Sequence, residues 1–205
     1  MSLAGLVLAA GRVERLRPLT DEMPKPLLSV GDTTLLDAAL SRVGAVVPIS
    51  SETVTVNAHW LAEQIAAHVG DRVHLSVEEP EALGTAGAVG AIRDWLDGRD
   101  LLVANGDVWW SDVADLRSFV DEWDRERPRL LVVRDEERPD FEGRWRFAGL
   151  SLLPATAARG LAPVPSGLYE KVWSRGPIDL VPADITFIDC GTPEDLEAAR
   201  RLAYG

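Results

Sequence analysis

One rhythm constrains this chain more than any other feature. Five short runs of apolar and β-branched residues, GLVLAA (5–10), TVTV (53–56), VHLSV (73–77), LLVA (101–104) and RLLVV (129–133), recur with helix-like stretches between them. The first four are nearly continuous rather than alternating, as expected of strands covered on both faces. Leu35, Leu36, Ala39, Leu40 and Val43 keep helical spacing, as do Leu61, Ile65 and Val69. Thr85 to Leu96 and Ser111 to Trp123 read as two further helices, the second opened by a Ser/Asp start signal. Strands alternating with helices in this way predict an α/β fold built on a doubly wound, mostly parallel sheet.

Past about residue 125 the pattern changes. ERPDFEGRWRFAGLSLLPATAARGLAPVPSG (137–167) predicts turns, a hairpin and short helical pieces. IDLVPADITFIDCGTPEDLEAARRL then returns to strands and a final helix, opened by Thr192-Pro193-Glu194-Asp195. A chain of 205 residues can bury roughly 70% of its unfolded surface, so a full core needs neither staples nor metals. No repeat and no low-complexity linker interrupts it, which predicts one domain over 1–205.

Composition excludes several classes. A formal charge of −12 opposes a nucleic-acid backbone, which needs a basic face. No apolar run approaches the ~20 residues of a membrane span. MSLAGLVLAAG lacks the basic flank of a signal peptide and runs straight into a charged loop. Cys190 is the single cysteine, so no internal disulfide forms and a cytoplasmic location is expected; its own reading is a small buried strand residue. With His59, His68 and His74 scattered, no zinc site of the usual spacing can be built.

Against this acidic background, residues 12–25 gather Arg12, Arg15, Arg17 and Lys25 directly after the first strand. The chain has 19 Arg but two Lys, so a Lys held between Pro24 and Pro26 marks a place for a compact point charge. In an open α/β sheet, ligands sit beyond the carboxyl ends of the strands. Gly11, Asp107 and Asp189 all fall there. Gly11 allows a tight turn whose amides can face phosphate oxygens. Asp107 and Asp189 are hard oxygen donors suited to Mg²⁺ held jointly with substrate phosphates. No G-x-x-x-x-G-K-[ST] loop is present, and GTAGAVG (84–90) is not the dinucleotide fingerprint. Two carboxylates opposite a cationic loop favour phosphoryl or nucleotidyl transfer.

LAAGRVERLRPLTDEMPKPLLSVGDTTLLD resembles the signature of the sugar-1-phosphate nucleotidyltransferases, and EEPEALGTAGAV, VANGDVW, RFAGLSLL and FIDCGTPEDLEAARRL follow in that family's order. NAHWLAEQI with NGDVW is most similar to the small bacterial members, the N-acetylmuramate-1-phosphate uridylyltransferases and the heptose- or mannose-1-phosphate guanylyltransferases. The resemblance implies a Rossmann-like, GT-A-like fold with a nucleotide-binding core (1–125), a reduced acceptor lobe (126–180), and a return strand and C-terminal helix (181–205). It implies Mg²⁺-dependent transfer of a nucleotidyl group from an NTP to a sugar 1-phosphate, with no nucleic-acid or membrane partner and room for a homodimer. Ala9, Ala10 and Gly11 would hold the nucleotide, with Arg15 on the β/γ-phosphates. Lys25 would bridge the α-phosphate and the incoming sugar phosphate. Asp107 and Asp189 would hold the metal, Asp107 also counting with Arg15 and Lys25 among the catalytic groups. Glu79, Gly84 and Thr85 would lie along base and ribose, and Ala148 and Gly149 beside the sugar. Three departures stand out: Val13 stands where the family usually has a second glycine, the stretch between Asp107 and Asp189 is shorter than usual, and within it the family's Glu-Lys-Pro element has no counterpart. Val13 predicts weak NTP affinity, tightened by Val13→Gly. Together they keep open a second reading, a catalytically weak paralogue that binds nucleotide sugar as a regulatory or partner subunit.

Overall fold

The computed structural model describes residues 2–11, 14–111 and 114–204. Arg12 and Val13 lie outside the described residues, and so does the expectation placed on Val13.

The strands are β1 (Leu3–Leu8), β2 (Ser29–Val30), β3 (Thr33–Thr34), β4 (Val54–Ala58), β5 (His74–Val77), β6 (Asp100–Asn105), β7 (Val108–Trp110), β8 (Arg129–Arg134), β9 (Trp145–Leu153), β10 (Asp179–Pro182) and β11 (Phe187–Asp189). Seven of them form one sheet in the order β10-β8-β9-β6-β1-β4-β5. β1 pairs in parallel with both β4 and β6, and β4 with β5. β9 runs antiparallel between β6 and β8. The sheet is therefore mostly parallel, as the buried-strand runs required.

The helices are α1 (Leu19–Glu22), α2 (Leu35–Gly44), α3 (Ala62–Val69), α4 (Gly84–Ala91), α5 (Arg93–Leu96), α6 (Leu116–Asp121), α7 (Ala155–Arg159) and α8 (Pro193–Tyr204). They cover both sheet faces, and strand alternation shows how. Val7, Leu102 and Ala104 join one core with Leu36 and Val43 of α2, Ile65 of α3 and Phe119 of α6. Ala4, Leu6, Leu101 and Val103 point the other way, into a core with Ala86 and Val89 of α4, Leu96 of α5 and Ala158 of α7. Successive residues of one strand thus feed opposite layers. A third cluster, containing Leu16, Leu28, Trp109, Cys190 and Leu196, seats α8 against the segment that carries Lys25.

Three expectations need correction. Thr85 to Leu96 is two helices, since Ile92 leaves helical geometry at φ −93°, ψ 8°. The helix expected from Ser111 begins instead at Leu116, where Asp115 caps it by accepting from Ser118 N at 3.0 Å. Ser111 is used elsewhere: its N–H donates to Thr186 O, and its hydroxyl accepts from Thr186 N, extending a β7–β11 ribbon. The hairpin expected within 137–167 forms instead between β8, which precedes that span, and β9, a nine-residue strand in the sheet interior.

Candidate active site

β1 and β6 are adjacent, and the connections leaving them lead to opposite sides of the sheet: β4 and β5 lie beyond β1, β9 and β8 beyond β6. This is a topological switch point, where ligands of open α/β sheets bind. A cleft of about 180 Å³ opens there, lined by Leu8, Ala10, Gly11, Gly84, Thr85, Asn105 and Asp107, among others. Ala9 and Ala10 are buried and Gly11 is exposed at the mouth.

The charged centre forms beside this cleft. Pro24 and Pro26 frame a short 3₁₀ turn, Lys25–Leu27, closed by Leu27 N and Leu28 N donating to the carbonyls of Pro24 and Lys25. The turn packs Lys25 to 3% exposure and aims its Nζ at two carboxylates, Asp107 Oδ2 at 2.8 Å and Asp189 Oδ1 at 3.2 Å. The two aspartates are 82 residues apart in sequence and meet because β7 and β11 pair antiparallel, with Asp189 opposite Val108. Cys190 N also donates to Asp107 O. Burial on its own would lower the Lys25 pKa, but Asp107 and Asp189 outweigh it and hold the ammonium above its ordinary value. Lys25 is therefore a fixed positive charge at any working pH.

Arg42 was not singled out from the sequence. It reaches from α2, donates from Nη2 to Val108 O at 3.2 Å and lies over the Trp110 ring at 4.7 Å. Burial pulls its pKa down to about 10, opposed by the nearby Asp107. Arg15 is exposed on its 3₁₀ turn, and its Nη2 approaches the Gly191–Asp189 corner. The Cys190 thiol is fully buried, and that burial pushes its pKa up to about 12, which disfavours the thiolate.

The far wall is held by a buried polar chain that the sequence reading also missed. Ala9 N donates to Asn57 Oδ1 at 2.7 Å, Asn57 Nδ2 donates to Glu78 Oε1 at 2.7 Å, and Leu83 N donates to Glu78 Oε2 at 2.7 Å. Asn57 and Glu78 are 3% and 1% exposed, and their chain ties the glycine turn to the loop that opens α4. Glu79, the carboxylate expected near the base, is exposed on that loop. A polar residue in an otherwise apolar strand (Asn57 in TVTVNA) was the signal available for this chain.

GTAGAVG receives a physical explanation here. Gly84, Gly87 and Gly90 form one bare stripe on α4 against the 162–168 strap; a Cβ at Gly84 would stand 2.7 Å from Ser166 O, and Cβ atoms at Gly87 and Gly90 would collide with Val164 O and Ala162. The strap is pinned there by Ala86 N donating to Ser166 O and by Leu168 N donating to the Thr85 hydroxyl. Gly149, in β9, has φ +83° and packs against Asn105 and Val108, while Ala148 faces the opposite core and accepts from Trp110 Nε1 through its carbonyl. Gly84, Thr85, Asp107 and Gly11 therefore line one cleft, with Lys25 and Asp189 beside it, whereas Ala148 is buried away from it.

Among the described residues, no group of three or more His, Cys, Asp or Glu could hold a metal ion, and no helix is long and apolar enough to cross a membrane. The Asp107–Asp189 pair has the donor set that fits Mg²⁺, which takes one or two carboxylates and completes its shell with phosphates and water.

A family model described as nucleotidyl transferase matches residues 4–141. The N-acetylmuramate alpha-1-phosphate uridylyltransferase of Neisseria meningitidis serogroup B is 38% identical over 112 residues, covering 52% of this chain and 47% of that protein. The protein of the same name from Caulobacter vibrioides is 35% identical over 138 residues, covering 62% and 56%. This chain thus spans about half the length of these curated relatives. The solved structure of HddC from Yersinia pseudotuberculosis complexed with GMP-PN superposes with a TM-score of 0.74 at 17% identity, over 98% of this chain and 99% of that one, a likeness of fold. With one family pattern running through the glycine turn, Lys25 and Asp107, the chain belongs to the nucleotidyl transferase family.

Proposed function

We propose that the chain transfers a nucleotidyl group from an NTP to a sugar 1-phosphate and releases pyrophosphate. The observation that carries this reading is the buried Lys25 ammonium, held between Asp107 and Asp189 beside a cleft at the sheet's switch point. Two uridylyltransferases among the relatives make UTP the first nucleotide to test.

The reaction joins two anions. A phosphate oxygen of the sugar phosphate attacks the α-phosphorus of the NTP, the bond from that phosphorus to the β-phosphate oxygen breaks, and pyrophosphate leaves with the electron pair. The protein's task is position and charge neutralisation, not covalent chemistry. Lys25 supplies a compact cation for both phosphates, and its two ion pairs fix where that charge stands. The turn Ala9–Gly11 and Arg15 offer donors to the triphosphate, and Gly84 and Thr85 leave room for the nucleoside. Asp107 and Asp189 would hold Mg²⁺, which offsets negative charge on the reacting phosphates when bound.

The test is pyrophosphate release from UTP, GTP, dTTP, CTP and ATP, each paired with a panel of sugar 1-phosphates, with Mg²⁺ and with EDTA. Release from at least one pair is expected. Silence from every pair would overturn the activity, and undiminished release in EDTA would overturn the metal.

A further inference from the structure

β7 and β11 stand apart from the seven-stranded sheet as a ribbon of their own, yet this ribbon carries both aspartates of the charged centre. Its register sets how they face each other. Asp107 immediately precedes Val108, and Asp189 lies directly opposite Val108. Antiparallel pairs alternate between exchanging hydrogen bonds and leaving them out. Ser111 with Thr186 and Asp107 with Cys190 are bonded pairs, since Ser111 N donates to Thr186 O and Cys190 N to Asp107 O. Counting inward from either end, Val108 and Asp189 form a pair without ladder bonds. The carbonyl of Val108 therefore points away from β11 and needs a partner elsewhere.

That partner is Arg42. Its Nη2 donates to Val108 O at 3.2 Å, and its guanidinium lies over the Trp110 ring, 4.7 Å from the centroid. Trp110 in turn donates from Nε1 to Ala148 O of β9 at 3.0 Å. Arg42 comes from α2, whose Leu36 and Val43 are seated in the main core. One side chain thus ties the ribbon to the body of the fold, at the residue that lies between the two aspartates. Val108 is 1% exposed, so bulk water does not stand in for this bond. The charge matters as well, because Asp107 acts on the guanidinium and opposes the effect of its burial.

Two carboxylates serve one cation only while their spacing is kept. Lys25 Nζ shows such a common point, 2.8 Å from Asp107 and 3.2 Å from Asp189. Mg²⁺ is less forgiving than an ammonium, since it demands near-ideal octahedral geometry at about 2.0–2.1 Å. A ribbon free to slide or tilt would spoil that geometry before it spoiled the fold.

We propose that Arg42 is the positioning residue of the metal site: by holding Val108 O it fixes Asp107 and Asp189 where both carboxylates reach a common divalent cation. This inference rests on the reading of those two aspartates as the metal carboxylates.

The experiment titrates Mn²⁺ without nucleotide, read by electron paramagnetic resonance, in the wild type, Arg42→Met and Arg42→Lys. Leu116→Ala, which truncates a core residue of α6 beside Arg42, controls for general loss of stability at matched thermal midpoints. The relevant Mn²⁺ site is the one lost in Asp107→Asn. Arg42→Met should weaken it about tenfold to a hundredfold, the usual cost of removing a group that orients a metal ligand. Arg42→Lys keeps a charged donor and should lose less. The Mg²⁺ concentration for half-maximal rate should rise with the Mn²⁺ constant, while KM for NTP at saturating Mg²⁺ stays within about twofold. Hydrogen exchange provides a readout that needs no metal: protection of the Ser111 and Cys190 amides should fall in Arg42→Met. Unchanged Mn²⁺ affinity in Arg42→Met overturns the inference, as does an equal loss in Leu116→Ala or in Arg42→Lys. Absence of Mn²⁺ binding in the wild type overturns the metal reading instead. Exchange then decides Arg42 alone: faster exchange confined to the ribbon supports its positioning role, and unchanged protection removes it.

Discussion

Lys25→Met separates two roles that a single loss of activity would confuse. Nζ stands 2.8 Å from Asp107 and 3.2 Å from Asp189, the carboxylates proposed to hold the metal. In the ligand-free site the ammonium therefore competes with a metal ion for the same oxygens. An ammonium–carboxylate contact at about 3 Å is worth about 1.4 kcal/mol even at the dielectric of water, or tenfold in affinity. Removing Lys25 should accordingly tighten metal binding about tenfold if one contact is surrendered, and about a hundredfold if both are. Turnover should move the opposite way, falling by orders of magnitude, because the charge shared by two phosphates is gone. The fold should survive: the aspartate side chains are 33% and 44% exposed, so solvent screens their repulsion, and partly exposed pairs contribute about 0–1 kcal/mol. The assay is Mn²⁺ titration without nucleotide, read by electron paramagnetic resonance, beside pyrophosphate release and a thermal midpoint. Lys25→Arg should rescue turnover poorly, since a planar guanidinium is too wide for the shared contact. Weaker metal binding in Lys25→Met would mean that Lys25 organises the aspartates rather than competing for them, and near-full turnover in either variant would refute the bridging role.

Other consequences are open to direct measurement. Asp107→Asn and Asp189→Asn should each raise the Mg²⁺ concentration needed for half-maximal rate and cut turnover by orders of magnitude, checked by rate against Mg²⁺. Asn57→Leu strands Ala9 N and leaves Glu78 Oε1 without its donor, two buried groups at about 1–3 kcal/mol each; urea denaturation should show this, together with a raised KM for NTP. Gly87→Ala sets two effects against each other, since helix propensity favours Ala by about 1 kcal/mol while its Cβ collides with Val164 O. A well-packed backbone contact should win by about 1–3 kcal/mol, so a stabilised variant in urea would refute the strap packing. Asp37 links Thr34, His68 and Arg72; burial opposes its charge, but the Thr34 and His68 hydrogen bonds with the His68 and Arg72 charges hold its pKa below the ordinary 3.8. A carboxylate lowered on folding stabilises above its unfolded pKa, so the wild type should exceed Asp37→Ala in stability at pH 7. That difference should shrink as pH falls below about 3.8.

The sheet was legible because its central strands are buried on both faces: GLVLAA, TVTV and LLVA have no polar face to hide, and that alone implied helices above and below. β9 was harder to read. Its run, WRFAGLSLL, is interrupted by a glycine at positive φ and a polar Ser151, so its strand period is broken where it turns past Asn105 and Val108. Helix ends failed for a different reason, because Ser111 is as good a ribbon residue as a cap, and only the partner strand decides which. Nothing local in GTAGAVG could reveal a strap 72 to 82 residues further on that needs a bare helix face.

The site divides along the same line. Lys25, Asp107 and Asp189 were legible because each is an exception to its surroundings: a lysine in an arginine-biased chain, and two aspartates at the ends of apolar strands. What sequence could not supply was their mutual geometry, which depends on the β7–β11 pairing across 82 residues. Asn57 and Glu78 were harder, since a buried polar residue is recognised only once its burial is known. Glu79, one position along, carries the same carboxylate and is exposed, so residue type alone cannot choose between them. Ser151 and Trp173 carry that argument furthest. Neither is an unusual residue for its place, and they stand out only because the fold buries an Oγ and an N–H with nothing to bond. The charged centre announces itself in composition, whereas unmet hydrogen bonds exist only in three dimensions.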